Sequence, residues 1–503
     1  MCDEFDSIVQ FSTYKLVELP SDCEVINTKW VYHIKHNKTR HITRYKARLV
    51  ACEFTQKPGV NFDETFAPIT RIKSIHLLCT IATALDCEIH VIDVNSAFLN
   101  SKMPDDQPAY VRQPTRFEAK GKDYLIWLLL KALYGLEQSG CLWYKKLKSI
   151  LVEIRFTVCL ADPCIFICCW KTGICVIASH VNNLGLYILS LSKLKQLKNE
   201  FSTHMSFKDQ GEMHHILGIE VVWDCTAHTI SLFHRQYIHS MIKTYSLELA
   251  NPVTTPEQTI LHFSHKHFPA TNEETCKMHN MLYQNTIRAL NHCAIMTWPD
   301  IAHAVQQLTQ FAADLGHIHW TAIKHILHYL KGTQELTLTL GGKLDGDTIK
   351  LHTFSNADFV NSLDNGHSIS SYAIMLSTGT FSWSTKKQTA TALLSSEVEY
   401  YATIHVGHEI LWLHHLLTEL SIIQTNPTTL HINNMAVICI LTTPVEMSTQ
   451  MCHIHLLYFW IKDEIMHKQI TSQHIISAEN TADIFTKGLS TNTYRHFIHS
   501  LRL

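Results

Sequence analysis

The sequence predicts a multidomain protein of mixed α+β and α/β class, and three observations carry that expectation. At 503 residues the chain is longer than one hydrophobic core ordinarily serves, so about two to four domains are expected. Its apolar residues switch repeatedly between a period of two and a period of 3.6, which mixes strands with helices. The last third runs through three strands, a helix, a strand and further helices, the order of an α/β layer. A hydrophobic fraction of 46% without long low-complexity runs excludes a disordered chain.

Taken in order, residues 27–55 read as a basic hairpin. Trp30 to Ile34 and Tyr45 to Ala51 alternate as strands around the polar turn Asn37 to Arg40. Ile72 to Leu85 has helical spacing and leads into the apolar strand Glu88 to Asp93. A helix from about Cys141 to Glu153 precedes two strands that bracket Lys171-Thr172-Gly173, and Lys193 to Phe201 is helical. Leu217 to Trp223 and Thr229 to Phe233 form a β-ribbon, after which Pro252 and Pro256 punctuate the chain. Met278 to Leu330 is helical, with Trp298-Pro299-Asp300 opening one helix. Gly341-Gly342 marks a break. Beyond it, Ile349 to Ser355, Tyr372 to Leu376 and Thr380 to Ser384 are three antiparallel strands. Ser396 to Leu420 is a helix, Thr429 to Ile432 a strand, and helix and strand pieces continue to about Leu489.

Composition narrows the function classes. No apolar run reaches the length of a membrane span; the best, Tyr124 to Leu130, is short and ends at Lys131. The first twenty residues carry Asp3, Glu4 and Asp6 without an apolar core, which argues against a signal peptide and predicts a soluble intracellular protein. The 16 Cys do not space as a disulfide framework. Cys159, Cys164, Cys168, Cys169 and Cys175 fall on strand-like sequence and read as core thiols. The 35 His, including the groups His262, His265, His267 and His408, His414, His415, match no standard metal-ligand spacing and read as packing or surface residues. A net charge of −2 and only 11 Arg leave any phosphate-binding groove a local feature.

Chemistry concentrates in short segments. Ile177 to Leu184 has two neighbouring Asn, Asn182 and Asn183, between apolar runs; alone, this is a β-turn. Asp93 ends an apolar strand in the segment Ile92 to Asn100, which alone reads as strand-end capping. The order becomes specific with Lys131 to Gln138 (KALYGLEQ), Trp143-Tyr144, Phe207-Lys208-Asp209 and Leu217-Gly218-Ile219-Glu220. The series resembles the reverse transcriptase of copia-type long-terminal-repeat retrotransposons, and the resemblance covers nearly the whole chain.

The resemblance implies a right-hand polymerase of fingers, palm and thumb-like parts, followed by a helical connection and a ribonuclease H-like α/β domain. It implies an N-terminal lead-in at 1–25, the polymerase at 26–256, the connection at 257–345, the ribonuclease H-like domain at 346–490 and a tail at 491–503. By position, Asp93 is the first metal-binding carboxylate, and Asn182 and Asn183 stand at the paired aspartates. Phe98 is the aromatic gate against a ribose 2′-hydroxyl. Lys46 and Arg48 hold the incoming triphosphate as charge-assisted donors, and Gly135 and Gln138 line the nucleotide and template. Trp298 to Ala302 and His325 to Thr333 resemble the connection. In the last third the markers are Phe354 to Asp358, Trp383-Ser384, Lys386-Lys387-Gln388, Ser395 to Tyr400, Ile432 to Asn434 and Ala482 to Lys487. There Asn356, Glu399, Asn433 and Asp483 stand at four acidic places. Alone, Glu399 reads as an exposed helix residue and Asp483 as an N-cap. Mg²⁺ or Mn²⁺ as cofactor, an RNA template, an RNA/DNA hybrid and deoxynucleoside triphosphates as partners, and a cytoplasmic particle or the nucleus as location all follow from the resemblance.

The departures follow a pattern. An Asn carbonyl supplies an oxygen ligand without charge, and Mg²⁺ prefers charged oxygens. The expected metal-binding carboxylates are therefore Asp93, Glu399 and Asp483 alone, and loss or severe reduction of polymerisation is expected. Cys141, Trp298, His325, His328 and Glu53 stand where Arg or Gly is usual. Each change, like Asp to Asn, is one C-to-T or G-to-A transition. A copy decayed by such transitions is the hypothesis; codons unrelated to deamination contexts would sink it. The alternatives are an active enzyme, a non-catalytic nucleic-acid or protein-binding remnant, and a product with no selected function. Without zinc-knuckle spacing or an integrase or protease segment, the sequence is expected to be less than a whole element polyprotein.

Overall fold

The computed structural model describes residues 1–21, 23–36, 41–59, 61–170, 173–259, 263–269, 271–279, 282–313, 315–342, 349–376, 379–389, 391–392, 394–443 and 455–503. The hairpin turn Asn37 to Arg40, Lys171-Thr172 and His262 lie outside these. The chain forms two compact units, Met1–Thr70 with Glu88–Glu212, and Arg71–Cys87 with Met213–Leu503.

The first unit is organised on a six-stranded antiparallel sheet. Its order is Phe207–Glu212, Glu88–Val94, Asn183–Ile188, Gly173–His180, Ile165–Trp170 and Thr157–Val158. Glu88–Val94 therefore lies between two partners, and the strand carrying Asp93 is fixed on both sides. The helices Ser139–Glu153 and Leu191–His204 cover one face. Their apolar stripes (Trp143, Leu147, Ile150 and Leu194, Leu197, Phe201) meet Ile92, Val94, Ile177, Leu184 and Leu186 in one buried cluster. The spacing of these positions, three and four on the helices and two on the strands, is what couples the sequence to this packing. Two smaller sheets complete the unit. Tyr14–Val17, Ile126–Leu129 and Tyr110–Val111 form one, and the hairpin Thr28–His36 with Ile42–Ala51 forms the other.

The second unit holds a four-stranded and a five-stranded sheet. The first is ordered His215–Ile216, Ile219–Asp224, Thr229–Phe233, Leu338–Gly341. The ribbon read from sequence is its middle pair; Leu338–Gly341 is an added strand, where sequence reading saw only a break. The helix Ile72–Ala84 packs on this sheet, which is why Arg71–Cys87 groups with the second unit. The close approach requires glycine: at Gly341, φ is +85° and a Cβ would meet Thr83 Oγ1 at 2.2 Å.

The five-stranded sheet is ordered Gly379–Lys387, Ile369–Leu376, Leu351–Asp358, Thr428–Ile432, Ile470–His474. The first three are antiparallel; Leu351–Asp358 and Thr428–Ile432 are parallel, as are Thr428–Ile432 and Ile470–His474. Parallel neighbours need crossovers, here supplied by the helices Ser395–Glu419 and His455–Met466. The central segment Met278 to Leu330 resolves into Tyr283–Met296, Pro299–Ile301, Ala302–Thr309 and His317–Gly332. Residues 491–503 include the helix Thr491–Leu501, which buries Tyr494, Phe497 and Leu501. Among the described residues no helix is long and apolar enough to cross a membrane.

Candidate polymerase and hydrolase centres

Asp93, Asn182 and Asn183 come together at one end of the six-stranded sheet. Strands Gly173–His180 and Asn183–Ile188 are joined by Val181 and Asn182, and Asn183 pairs with Asp93 across to the neighbouring strand. Val181 has φ +55°, the left-handed first position of a tight hairpin turn, where glycine is usual. A β-branched residue there costs roughly 1–2 kcal/mol. Its carbonyl is held by the indole N–H of Trp143 at 2.6 Å, and the carbonyl of Asn182 accepts from the Val94 amide at 2.8 Å. So oriented, the Asn182 side-chain amide donates a hydrogen bond to Asp93 Oδ1. Lys208 is the register partner of Asp93 on its other side.

Phe98 follows in the turn Ala97–Asn100, entered through Ser96 at φ +46°. Its ring meets Tyr134 edge-on at 4.9 Å, and the Arg48 guanidinium lies 5.0 Å from the centroid of Tyr134. Burial raises the Tyr134 pKa, with Arg48 opposing the shift and Asp93 adding to it. Arg48, Tyr134 and Phe98 therefore form a contiguous row, and the Asp93 charge is felt at Tyr134 within it. Lys46 shares the Arg48 face of the hairpin, two residues along the strand. Burial raises the Glu4 pKa, and Lys46 and Arg48 counter that shift. Tyr134 lies inside the KALYGLEQ segment, so its motif was legible although its bridging position was not.

Gly135 and Gln138 have interior partners. Gly135 has φ +85°, and a Cβ there would stand 2.2 Å from the Ala51 carbonyl oxygen. Gln138 is buried; its Oε1 accepts from Gln56 Nε2 at 3.1 Å and its Nε2 donates to the Asn61 carbonyl at 3.1 Å. The pair thus fastens the hairpin and the loop after it to the start of helix Ser139–Glu153. Gly135→Ala is expected to lower stability by at least about 2 kcal/mol, through left-handed strain plus a backbone clash. Urea unfolding checks it, and a variant of unchanged midpoint would show that the hairpin does not need this contact.

The second cluster gathers residues from four elements. Asn356 lies on the central strand Leu351–Asp358, Glu399 on helix Ser395–Glu419, Asn433 just past Thr428–Ile432, and Asp483 in the short turn Thr481–Phe485. The Asn356 amide donates to Asp483 Oδ1, and Asn433 Nδ2 donates to Asn356 Oδ1 at 3.4 Å. Lys487 Nζ lies 2.8 Å from Asp483 Oδ1. Glu399 is 8% exposed, and burial, with the Asp483 charge adding to it, pushes its pKa to about 8. Glu399 Oε2 and Asn433 Oδ1 are buried without a hydrogen-bond partner. Asp358 accepts from Asn361 Nδ2 at 2.7 Å and adds to the charge felt by Glu399. Asn480 was missed by sequence reading: wholly buried, it donates to the Ser355 carbonyl at 2.8 Å and accepts from the Ala482 amide at 3.1 Å. An Asn directly before a turn carries no signal that separates it from an ordinary cap.

Neither donor set fits a pair of divalent cations. At the first, Asp93 is the one carboxylate among the three positions, and an amide N–H, repulsive to a cation, points at it. At the second, Asp483 is taken by the Asn356 amide and Lys487, and two of the four places are uncharged amides. Among the described residues no group of three or more His, Cys, Asp or Glu is arranged to hold a metal ion. The His groups pack or cap: His267 caps Ser264, His265 faces Asp364, and His414 Nε2 lies 2.7 Å from Thr428 Oγ1. Of the strand cysteines, Cys159, Cys164, Cys168 and Cys175 are buried thiols and Cys169 is exposed.

A family model described as "Reverse transcriptase (RNA-dependent DNA polymerase)" matches residues 11–259. The chain is 32% identical over 501 residues to the "Retrovirus-related Pol polyprotein from transposon TNT 1-94" of Nicotiana tabacum, covering 98% of this chain and 37% of that protein. It is 31% and 30% identical to the corresponding polyproteins from transposons RE1 and RE2 of Arabidopsis thaliana, covering 99% of this chain and 33% of each. It thus spans about a third of the length of these relatives. On that similarity, extending across both the Asp93 and the Asn356 clusters, the chain belongs to the Pol polyproteins of copia-type retrotransposons and carries their reverse transcriptase domain.

Proposed function

We propose that this chain is the reverse transcriptase and ribonuclease H portion of a copia-type Pol polyprotein whose polymerase activity is lost or severely reduced. The carrying observation is the Asn182 amide donating to Asp93, where the family's chemistry needs carboxylates facing a cation. Residues 26–256 are the polymerase, with fingers, palm and thumb-like parts, 257–345 the connection, and 346–490 the ribonuclease H-like domain. The Asp93 strand, flanked on both sides within the six-stranded sheet and paired with the Asn182-Asn183 hairpin, supports the palm reading. The mixed five-stranded sheet with Asn356, Glu399, Asn433 and Asp483 at one end supports the hydrolase reading. By family the partners are an RNA template, an RNA/DNA hybrid and deoxynucleoside triphosphates, with Mg²⁺ or Mn²⁺ as cofactor, bound weakly here.

In this reading Lys46 and Arg48 hold triphosphate oxygens, Phe98 packs against the sugar, and Tyr134 sets the spacing between Arg48 and Phe98. Gly135 and Gln138 act on the site through the hairpin and loop they fasten. Primer extension on an RNA template with Mg²⁺ or Mn²⁺ tests it. Wild type is expected to stay at background while Asn182→Asp, Asn183→Asp extends; wild-type extension at the revertant's rate refutes the impairment.

A second reading, a binding remnant without catalysis, is favoured by the hairpin Thr28–His36 and Ile42–Ala51. Register places His33 beside Lys46 and Val31 beside Arg48 on one face, and alternation puts Tyr32 and Tyr45, 65% and 72% exposed, on the opposite face. The cationic face suits the phosphate backbone of a nucleic acid. Lys46→Ala, Arg48→Ala is expected to weaken hybrid binding and reduce its salt slope by roughly 0.9 per lost phosphate contact. Salt titration of a labelled hybrid reads this, and an unchanged slope removes the hairpin from the binding surface.

A further inference from the structure

The same contact occurs twice in this chain. In each unit an Asn side-chain amide donates to an Asp carboxylate, with one member of the pair near a strand's end: Asn182 to Asp93, and Asn356 to Asp483. Two carboxylates placed that close repel unless a cation or a proton lies between them. An amide facing a carboxylate needs neither, because the pair carries one negative charge instead of two and the N–H dipole meets that charge in a charge-assisted hydrogen bond.

The surroundings make the second pair tighter. Asn356 is 3% and Asp483 6% exposed. The Asn356 carbonyl is itself used, accepting from the Ala357 amide at 2.9 Å and from Asn433 at 3.4 Å, which fixes the amide N–H on the Asp483 side. Lys487 adds a resident positive charge at 2.8 Å from the same Asp483 oxygen. At the first pair the backbone fixes the orientation, through the Val94 amide on the Asn182 carbonyl and Trp143 on Val181.

We propose that these two pairs are cation-independent locks: each Asn closes its centre by bonding an Asp that remains there, so the fold no longer draws stability from a divalent ion. The proposal rests on the reading of Asn182 and Asn356 as family carboxylate positions. It adds a consequence for folding: restoring a carboxylate opens the lock and makes the surrounding structure conditional on a cation. The conditionality is stronger at Asn356, where the new charge would be buried beside Asp483 and Glu399.

Thermal unfolding of the full chain in EDTA and in Mn²⁺ tests this for wild type, Asn182→Asp and Asn356→Asp. Wild type is expected to melt at the same temperature in both. Asn356→Asp is expected to lose about 5 °C or more in EDTA and to recover it in Mn²⁺, with a smaller shift for Asn182→Asp. A wild-type midpoint raised by Mn²⁺, or a revertant as stable in EDTA as wild type, overturns the lock. Loss in EDTA that Mn²⁺ does not restore upholds the bond but overturns the reading of the position as a metal place. Should Asn356→Asp not fold, Mn²⁺ binding to wild type by electron paramagnetic resonance decides: absence of tight binding upholds the lock, and a tight site removes it. Asp483→Asn, which sets amide against amide, is expected to destabilise equally with and without Mn²⁺; a cation-dependent loss there also counts against the lock.

Discussion

Asn356→Asp combined with Asn433→Asp is expected to raise cleavage of the RNA strand of a hybrid at least about 10³-fold above wild type in Mn²⁺ or Mg²⁺, since residues that act as a unit lose nearly all activity when one is removed. Wild type offers Asp483 occupied by an amide and an ammonium, and a Glu399 carboxyl pushed up to about 8 by burial and by Asp483. Two further carboxylates at these places give four acids converging from four elements, a set whose mutual repulsion only a cation relieves. The oxygens Glu399 Oε2 and Asn433 Oδ1 are already buried without a hydrogen-bond partner. The assay is release of a labelled RNA end from a hybrid, with Glu399→Gln in the double revertant as control. That control returns to background if the chain, rather than a contaminating nuclease, does the cutting. Wild-type cleavage within tenfold of the revertant, abolished by Glu399→Gln, would mean that the Asn residues do not impair this centre.

Much of the fold was legible because its signals are local. The helices Ile72–Ala84, Ser139–Glu153 and Ser395–Glu419 start within a residue or two of their expected positions, each having a long apolar stripe or an unbroken run. Leu338–Gly341 was not legible: Leu-Thr-Leu-Gly is too short for a period to stand out, and only its pairing with Thr229–Phe233 makes it a strand. Helix Thr491–Leu501 was hidden for a related reason. Most of its residues are polar, and the apolar stripe of Tyr494, Phe497 and Leu501 gains meaning from what it packs on. At the sites, residue identity and order pointed to Asp93, the two Asn and the four positions of the second cluster. The hydrogen bond from each Asn to its Asp was not legible, because sequence records that a carboxylate is missing but not where the replacing amide turns. The interior bonding of Gln138 was hidden likewise, since the same side chain serves a pocket wall or a buried tie.

The segment Trp298-Pro299-Asp300 shows how a family motif can have a structural meaning that its residues do not announce. Asp300 is 2% exposed; the Tyr329 hydroxyl donates to its Oδ2, and the Tyr494 hydroxyl donates to its backbone carbonyl at 3.1 Å and lies 3.4 Å from Oδ2. It thereby ties helix His317–Gly332 to helix Thr491–Leu501. Burial pushes its pKa to about 6, against the pull of the two tyrosines, and its Oδ1 has no partner. A carboxyl raised in the folded state binds its proton more tightly there than in the unfolded chain. Its contribution is therefore most favourable below the unfolded value near 4 and declines as pH rises through 6, opposite to the usual salt-bridged Asp. Over that window the loss is about 3 kcal/mol. Asp300→Asn keeps an oxygen for the tyrosines and does not titrate, so its stability relative to wild type is expected to improve by that amount between pH 4 and pH 7.5. Urea unfolding of both proteins at the two pH values measures it. A difference that stays constant across the window would mean that Asp300 titrates normally, and that the tie between the two helices holds a charge at no cost to the fold.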